Sequence, residues 1–457
     1  MFMYNFKGNM VREVLKKFLC ENMDFQKPIL LALSGGPDSM VLFHLLVELK
    51  IDFAVAHVNH NWRVESTDEA AILEQMADAA NIPFHLSILN PQEIKGNLEL
   101  GCRLLRLSFF RKLCEEFAYQ AVIMGHHLDD QAETLLKRLF EGASLNGLCG
   151  LKKMTMIDDL KIFRPLLTLR KKEIEAYVQI KKIDAFYDKT NQDPKFMRAR
   201  FRSKIIPFLN EEFKKDIAEP LYRLGNEVIG LNDYLLKAFA PHKAKIVKSK
   251  DRAYFDFSSL DSAFEIKYFI RLFAKEMGFI ISHSIVETIL SLIEANTANK
   301  WLFVDKKHLF IDRKKMFVFG SEMQEMPLNL SLEIDTTNCG SFNFGFLKVI
   351  LEEKPLNNNN LISWQNVFKG FVQILIPTGS YQLVHPKNSN SYKTLSSSWS
   401  NYKVPAFLRN YFPVLSSDNE FCLDFLTGKQ AFSKVKKLKN YQLTIREELE
   451  VDDEKRI

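Results

Sequence analysis

The stretch Leu31–Leu46, LALSGGPDSMVLFHLL, passes from an apolar run into Ser34, Gly35, Gly36, Pro37, Asp38 and Ser39, then becomes apolar again. The first run reads as a strand. The second reads as a helix opened by Pro37, since proline suits the first helical turn. Glycines let the backbone approach a ligand closely. Amides at a helix start, together with the helix dipole, favour a phosphate. Ser34 and Ser39 add hydroxyl donors. Asp38 is the odd member, because a carboxylate beside phosphates repels them unless a cation intervenes, and Mg2+ resolves that conflict. The lysine of the GxxxxGK[ST] pattern is absent, so this is not a Walker loop. Taken alone, the stretch also reads as a plain glycine-rich turn with a capping aspartate.

Working outward, PILLAL (28–33), FAVAHV (53–58), FHLSIL (84–89) and AVIMGH (121–126) are short apolar runs that alternate with helical patterns such as ESTDEAAILEQMADAAN (65–81). This rhythm predicts an α/β class with a Rossmann-like parallel sheet, covered on both faces, in the N-terminal domain. Ligands of such sheets bind beyond the carboxyl ends of the strands. Further on, AFEIKYFIRLFAKEMGF and SIVETILSLIEAN read as amphipathic helices, and KWLFVDKKHLFIDRKKMFVF (300–319) alternates and turns twice at charged residues, like a small meander. The chain of 457 residues is long enough for two or three domains. The expected division is a catalytic domain over 1–215, a mainly helical middle domain over 216–345 and a small α+β C-terminal domain over 365–445.

A net charge of +6 tolerates a polyanionic partner without demanding one. The six cysteines form no CxxC, which suggests neither a zinc site nor a redox pair, and scattered single cysteines fit a reducing cytosol. No run of 18 apolar residues occurs, so a cytoplasmic protein without a membrane partner is expected. The 38 phenylalanines read as core filler.

SGGPDS resembles the pyrophosphate loop of the N-type ATP pyrophosphatases, enzymes that cut ATP between its α and β phosphates and adenylate a carbonyl-type oxygen. Four further stretches narrow the resemblance. AHVNHNWRVESTDEA (56–70), NLELGCRLLR (97–106), GHHLDDQAET (125–134) and YDKTNQDPKFMRARFRSKIIPFL (187–209) resemble, in order, conserved blocks of the tRNA(Ile)-lysidine synthases. KTLSSSWSNYKVPAFLRNYFPVL (393–415) resembles that family's C-terminal pattern. Cys102, Leu107, Ala199 and Val404 depart from the usual residues.

The resemblance implies a ligase that uses ATP and Mg2+. Its partners would be free L-lysine and a tRNA(Ile) with a CAU anticodon, and a homodimer is compatible with it. The wobble cytidine is adenylated at its 2-carbonyl oxygen with release of pyrophosphate; the lysine ε-amine then attacks C2 and AMP leaves. ATP would be held by Ser34, Gly35, Gly36, Pro37, Asp38, Ser39 and His57, with Asp38 on the metal side. Asp130 and Glu133, three apart on a helix, face the same way and can hold the ammonium groups of lysine. Arg198, Arg200 or Arg202 would take its carboxylate or tRNA phosphates. The ε-amine, with an unperturbed pKa of roughly 10.4, must lose a proton before it attacks. One of these carboxylates, His126 or His127 could accept it. Arg63, Arg103, Arg106, Lys393, Lys403 and Arg409 are candidate tRNA contacts. As a bare charge run, RARFR would instead be a solvated helix face. The rival readings are a tRNA thiolase, which the lack of CxxC disfavours, and a non-catalytic RNA-binding relative, which an intact SGGPDS with DDQAET disfavours.

Overall fold

The computed structural model describes residues 2–61, 65–94, 96, 98–186, 197–249, 252–320, 326–353, 363–389, 392–418, 420–431 and 440–447. It forms two compact units, Met1–Lys237 and Ala238–Ile457.

The first unit is built on a sheet of β1 (Ile29–Ala32), β2 (Phe53–Asn59), β3 (Phe84–Ile88), β4 (Val122–Ile123), β5 (Met154–Ile157) and β6 (Leu160–Phe163). The strand order is β3-β2-β1-β4-β6-β5, and only β5 runs antiparallel to its neighbour. Side-chain alternation explains why β1 is apolar at every position. Ile29 and Leu31 enter one buried cluster with Val41, Leu45, Phe163 and Ile174, while Leu30 enters another with Ala54, Phe110, Leu113 and Ile162. A parallel strand buried on both faces has no polar face to show. The expected α/β sheet, covered on both sides, is therefore present. The helices around it are α1 (Phe2–Asn22), α2 (Pro37–Glu48), α3 (Glu65–Ala79), α4 (Leu98–Phe117), α5 (Leu128–Phe140) and α6 (Lys171–Lys181). Then come α7 (Met197–Arg200), a π-turn over Phe201–Ile205, α8 (Ile206–Glu212) and α9 (Ala218–Ala238). Strand order reverses at β1, so the loop after β1 and the loop after β4 open onto the same crevice.

The second unit starts with α10 (Ala240–Lys243) and a five-stranded antiparallel sheet. Its strands are β7 (Val247–Lys248), β8 (Arg252–Asp256), β9 (Lys300–Val304), β10 (Lys307–Asp312) and β11 (Lys315–Phe319), and it carries α11 (Ala263–Glu276) and α12 (His283–Glu294). The expected meander is β9–β11. Its two turns, Asp305–Lys306 and Arg313–Lys314, have positive φ at both residues, as tight two-residue hairpins require. Next are β12 (Ser331–Asp335), β13 (Gly340–Phe344) and β14 (Leu347–Glu353), followed by α13 (Trp364–Phe368), β15 (Phe371–Pro377) and β16 (Ser380–Val384). The unit ends with α14 (Tyr392–Asn401), β17 (Val414–Ser417), β18 (Glu420–Asp424) and β19 (Asn440–Glu447). β12 pairs with β16, and β14 pairs with β19. One core runs from Tyr254 and Phe317 through Trp364, Phe368 and Trp399 to Ile445. Among the described residues, ten of the twelve largest fully buried side chains are phenylalanines, so many of them fill the core, while others, Phe303 among them, are exposed.

Candidate active site

The loop after β1 is tied from within. Ser39 Oγ donates to the Gly36 carbonyl at 3.0 Å and lies 3.1 Å from Ser34 Oγ. Gly36 precedes α2 with no side chain capping the helix, and Pro37 is its first residue. Two glycines allow close approaches here. Gly35 has φ +80°, and a Cβ on it would lie 2.5 Å from the Phe186 ring. Gly125, after β4, faces the first turn of α2 so closely that a Cβ would sit 3.0 Å from the Asp38 carbonyl carbon. Backbone cannot yield as a flexible side chain would. Gly125→Ala is therefore expected to push the α2 start away and weaken ATP binding about ten-fold, at a stability cost of ~1–3 kcal/mol. ATP titration and denaturant unfolding check this; unchanged ATP affinity would show that the packing of this loop on α2 does not shape the nucleotide site.

His57, on β2, is buried, and its Nδ1 lies 2.8 Å from the Leu33 carbonyl. A carbonyl only accepts, so Nδ1 carries the proton in that bond. Burial holds this imidazole below its ordinary pKa. His57 thus braces the strand end that leads into the loop.

Asp38 meets Lys171 Nζ with both oxygens, at 2.8 and 2.9 Å. Sequence reasoning missed Lys171. It opens α6, where a helix dipole disfavours cations. Arg170, Lys171 and Lys172 at a helix start were a detectable anomaly, and carboxylates resolve it. Asp129 receives Arg170 Nη2 at 2.7 Å and the Lys171 N–H at 2.7 Å, and Arg170 also reaches Asp216. Asp129 therefore ties α5 to α6.

Asp130 and Glu133 converge as their spacing predicts. Asp130 Oδ2 accepts the His127 N–H at 3.0 Å, closing the start of α5. Half-exposed Arg202 bridges the pair, donating from Nη2 to Asp130 at 3.0 Å and from Nε to Glu133 at 2.5 Å. Burial by itself would raise the Asp130 carboxyl, but His127, His126, the His127 N–H and Arg202 hold it below the ordinary range. Glu133 is 2 % exposed, and burial raises its carboxyl above the ordinary range despite Arg202. Two neighbouring carboxyls with pKa values pushed apart suit two different tasks. Gln131, between them, is fully buried and accepts the Leu151 N–H at 2.5 Å, a structural role.

His127 lies 3.9 Å from Asp38, 3.7 Å from Asp129 and 3.5 Å from Asp130, at the centre of the acidic side. His126 is pushed down to about 3 by burial and, against the raising pull of Asp130, by the charges of Arg164, Arg198 and Arg106. It is neutral at pH 7 and a poor proton acceptor. Arg106 is depressed by burial and by Arg103 and Arg198, and Arg164 is lowered to about 10 by burial and Arg103. Buried Nε groups of Arg106 and Arg164 have no hydrogen-bond partner among the described residues. Arg103, Arg106, Arg164 and Arg198 thus form a self-repelling cationic group, an arrangement that an anion relieves. Arg198 and Arg200 are both exposed. Arg63 lies outside the described residues, as does 187–196 of the fourth motif.

Residues 9–209 match the PP-loop domain family. A tRNA(Ile)-lysidine synthase from Protochlamydia amoebophila is 34 % identical over 441 residues, 93 % of this chain and 94 % of its own. The chain belongs to the tRNA(Ile)-lysidine synthase family. A second tRNA(Ile)-lysidine synthase, from Chlamydia muridarum, is 35 % identical over 59 % of this chain and 85 % of its own. Among solved structures, a U34-tRNA thiolase from Methanococcus maripaludis with its 4Fe–4S cluster covers 49 % of this chain and 79 % of its own, at 19 % identity and a TM-score of 0.41. Membership of the lysidine synthase family makes the chain an ATP-dependent ligase, and the PP-loop match covers the loop, α5 and the α7–α8 arginines.

In the second unit, Lys393 and Lys403 are exposed. Arg409 is turned inward, donating from Nε and Nη2 to the Val404 carbonyl at 3.1 and 2.9 Å. Trp399 is buried, and its Nε1–H donates to Asp424 at 2.9 Å, so it is a core residue.

Proposed function

We propose that Asp130, Glu133 and Arg202 form the site where free L-lysine is held for transfer to an adenylated cytidine. The enzyme forms lysidine in an isoleucine tRNA, and the convergence of two carboxylates on one guanidinium beside the PP-loop carries the reading. The substrate has two ammonium groups and one carboxylate. Asp130 and Glu133 match the cations, and Arg202, Arg198 or Arg200 matches the anion. Glu133, with its elevated pKa, is the better acceptor for the ε-ammonium proton, since His126 is too weak a base. Ser34 to Ser39 cradle the phosphates of ATP. The cationic group of Arg103, Arg106 and Arg198 takes phosphates of the tRNA around the wobble nucleotide.

Asp38 is the carboxylate within the phosphate loop and already holds a cation, the Lys171 ammonium. That setting fits Mg2+, which binds through one or two carboxylates plus substrate phosphates. Bound there, Mg2+ would neutralise charge on the leaving pyrophosphate. This chemistry belongs in the cytoplasm, where ATP, tRNA and free lysine meet. Enzyme, ATP, labelled lysine and tRNA should fix label in the RNA, with pyrophosphate release dependent on tRNA. Pyrophosphate release without tRNA, or unlabelled RNA, would overturn the reading.

The proposal gives catalysis to residues 1–215 and tRNA positioning to 365–445. A chain cut near 365 would strip β12 of β16 and β14 of β19, so substitution is the sounder test. Replacing exposed Lys393 and Lys403 together by alanine should weaken tRNA binding and flatten the log–log salt dependence by about 2, roughly 0.9 per phosphate contact. An unchanged slope would show that these lysines meet no phosphate.

A further inference from the structure

Trp301 and Phe303 project from one face of β9, the outermost strand of the five-stranded sheet. Strand pairing sets Trp301 opposite Phe310 and Phe303 opposite His308. Toward the middle of the sheet that face is closed. Phe310, Phe317 and Phe319 are buried, with the Phe407 ring about 5 Å from each: 4.9, 5.1 and 5.1 Å. At β9 the cover ends. Trp301 is 47 % exposed and Phe303 67 % exposed.

Both rings nevertheless rest against neighbouring rings. Trp301 lies edge-on to Phe310 at 4.8 Å and to Phe407 at 6.3 Å, and Phe303 lies 5.1 Å from His308. The Ala406 N–H donates to Asn299 Oδ1 at 3.3 Å, joining the 402–407 turn to the start of β9. That turn carries Tyr402, itself 63 % exposed, and exposed Lys403. Lys300 and Lys306 are exposed at the two ends of β9. The nearby carboxylates are engaged within the protein: Asp305 accepts the Ile280 N–H at 3.1 Å, and buried Asp312 accepts the Asn299 N–H and the Arg313 guanidinium.

We infer that the Trp301–Phe303 rim of β9 is a stacking platform for unpaired bases of the tRNA. The inference rests on the functional reading above and adds a contact surface that no motif marked. Held aromatic faces bordered by lysines suit single-stranded nucleic acid, because every base offers a π-face and every linkage a negative charge. A second copy of the chain on this edge would bring Lys300 and Lys306 against the same lysines, which edge pairing avoids.

The test is Phe303→Ala, whose ring is mostly in water and whose loss should leave the fold intact, compared with Phe303→Trp. Loss of stacking on this ring is expected to weaken tRNA binding about ten-fold in Phe303→Ala. Phe303→Trp should restore it, the salt slope should not change, and ATP binding should be unaffected. In a Trp62→Phe background, tRNA should quench Trp301 emission, since Trp364 and Trp399 are only 5 % and 1 % exposed. Wild-type affinity in Phe303→Ala overturns the platform alone. A Phe303→Ala effect that tracks loss of self-association on size-exclusion chromatography also overturns it, in favour of a copy-to-copy contact. A wild-type chain that binds no tRNA overturns the platform and the functional reading together.

Discussion

Asp38→Asn is expected to lower lysine incorporation by at least ~10²–10³-fold while leaving the fold in place. The side chain keeps its volume and can still accept from Lys171. The pair it weakens is partly exposed, so the stability at stake is only ~0–1 kcal/mol. What is lost is a full negative charge inside a loop built for phosphates. If that charge only positioned Lys171, then Lys171→Met should cost as much as Asp38→Asn, and neither should alter the response to Mg2+. If Asp38 serves the cation, Asp38→Asn alone should shift the Mg2+ concentration needed for half-maximal rate upward. Near-normal lysine incorporation by a folded Asp38→Asn protein would remove Asp38 from the metal side.

The features legible in the sequence share one property: they are local. The turn between β1 and α2 needs only Ser34 to Ser39, and its glycines and proline declare it. Asp130 and Glu133 share a helix, so their convergence follows from a spacing of three. The hairpins of β9–β11 turn at charged pairs within a single short stretch. Where the fold joins distant segments, periodicity is silent. Lys171 reaches Asp38 across 133 positions, and Arg202 reaches Glu133 across 69. Arg202 entered the reading through a resemblance between motifs, and no spacing rule chose it over Arg198 or Arg200. The second unit is the extreme case. β12 waits for β16 and β14 for β19, and Phe407 fills the face of a sheet that ends at Phe319. No local pattern separates an aromatic that will be covered, such as Trp399, from one left at a rim, such as Phe303.

Glu133→Gln is expected to raise the KM for lysine and cut lysine transfer about 10²-fold, while tRNA-dependent adenylation proceeds. Glutamine is nearly isosteric, and its amide oxygen can keep one of the two hydrogen bonds that Glu133 accepts from Arg202. It removes the buried charge that faces an ammonium, and the group best placed to take the ε-amine's proton. The pH dependence follows from the same burial. Glu133 has its carboxyl raised above the ordinary glutamate range, so it binds a proton at a pH where most carboxylates stay ionised. As pH falls through that elevated value, the wild-type KM for lysine should climb before ordinary carboxylates titrate. Glu133→Gln, with nothing to titrate there, should show no such rise. The same shift makes ionised Glu133 a stability cost: the folded state holds its proton more tightly than the unfolded state, so stability falls as pH rises between the two values. Glu133→Gln should therefore be no less stable than wild type at neutral pH, even though lysine transfer drops. Should adenylation fall as far as lysine transfer, or the lysine KM keep its wild-type pH profile, then Glu133 serves the nucleotide or the fold and lysine is held elsewhere.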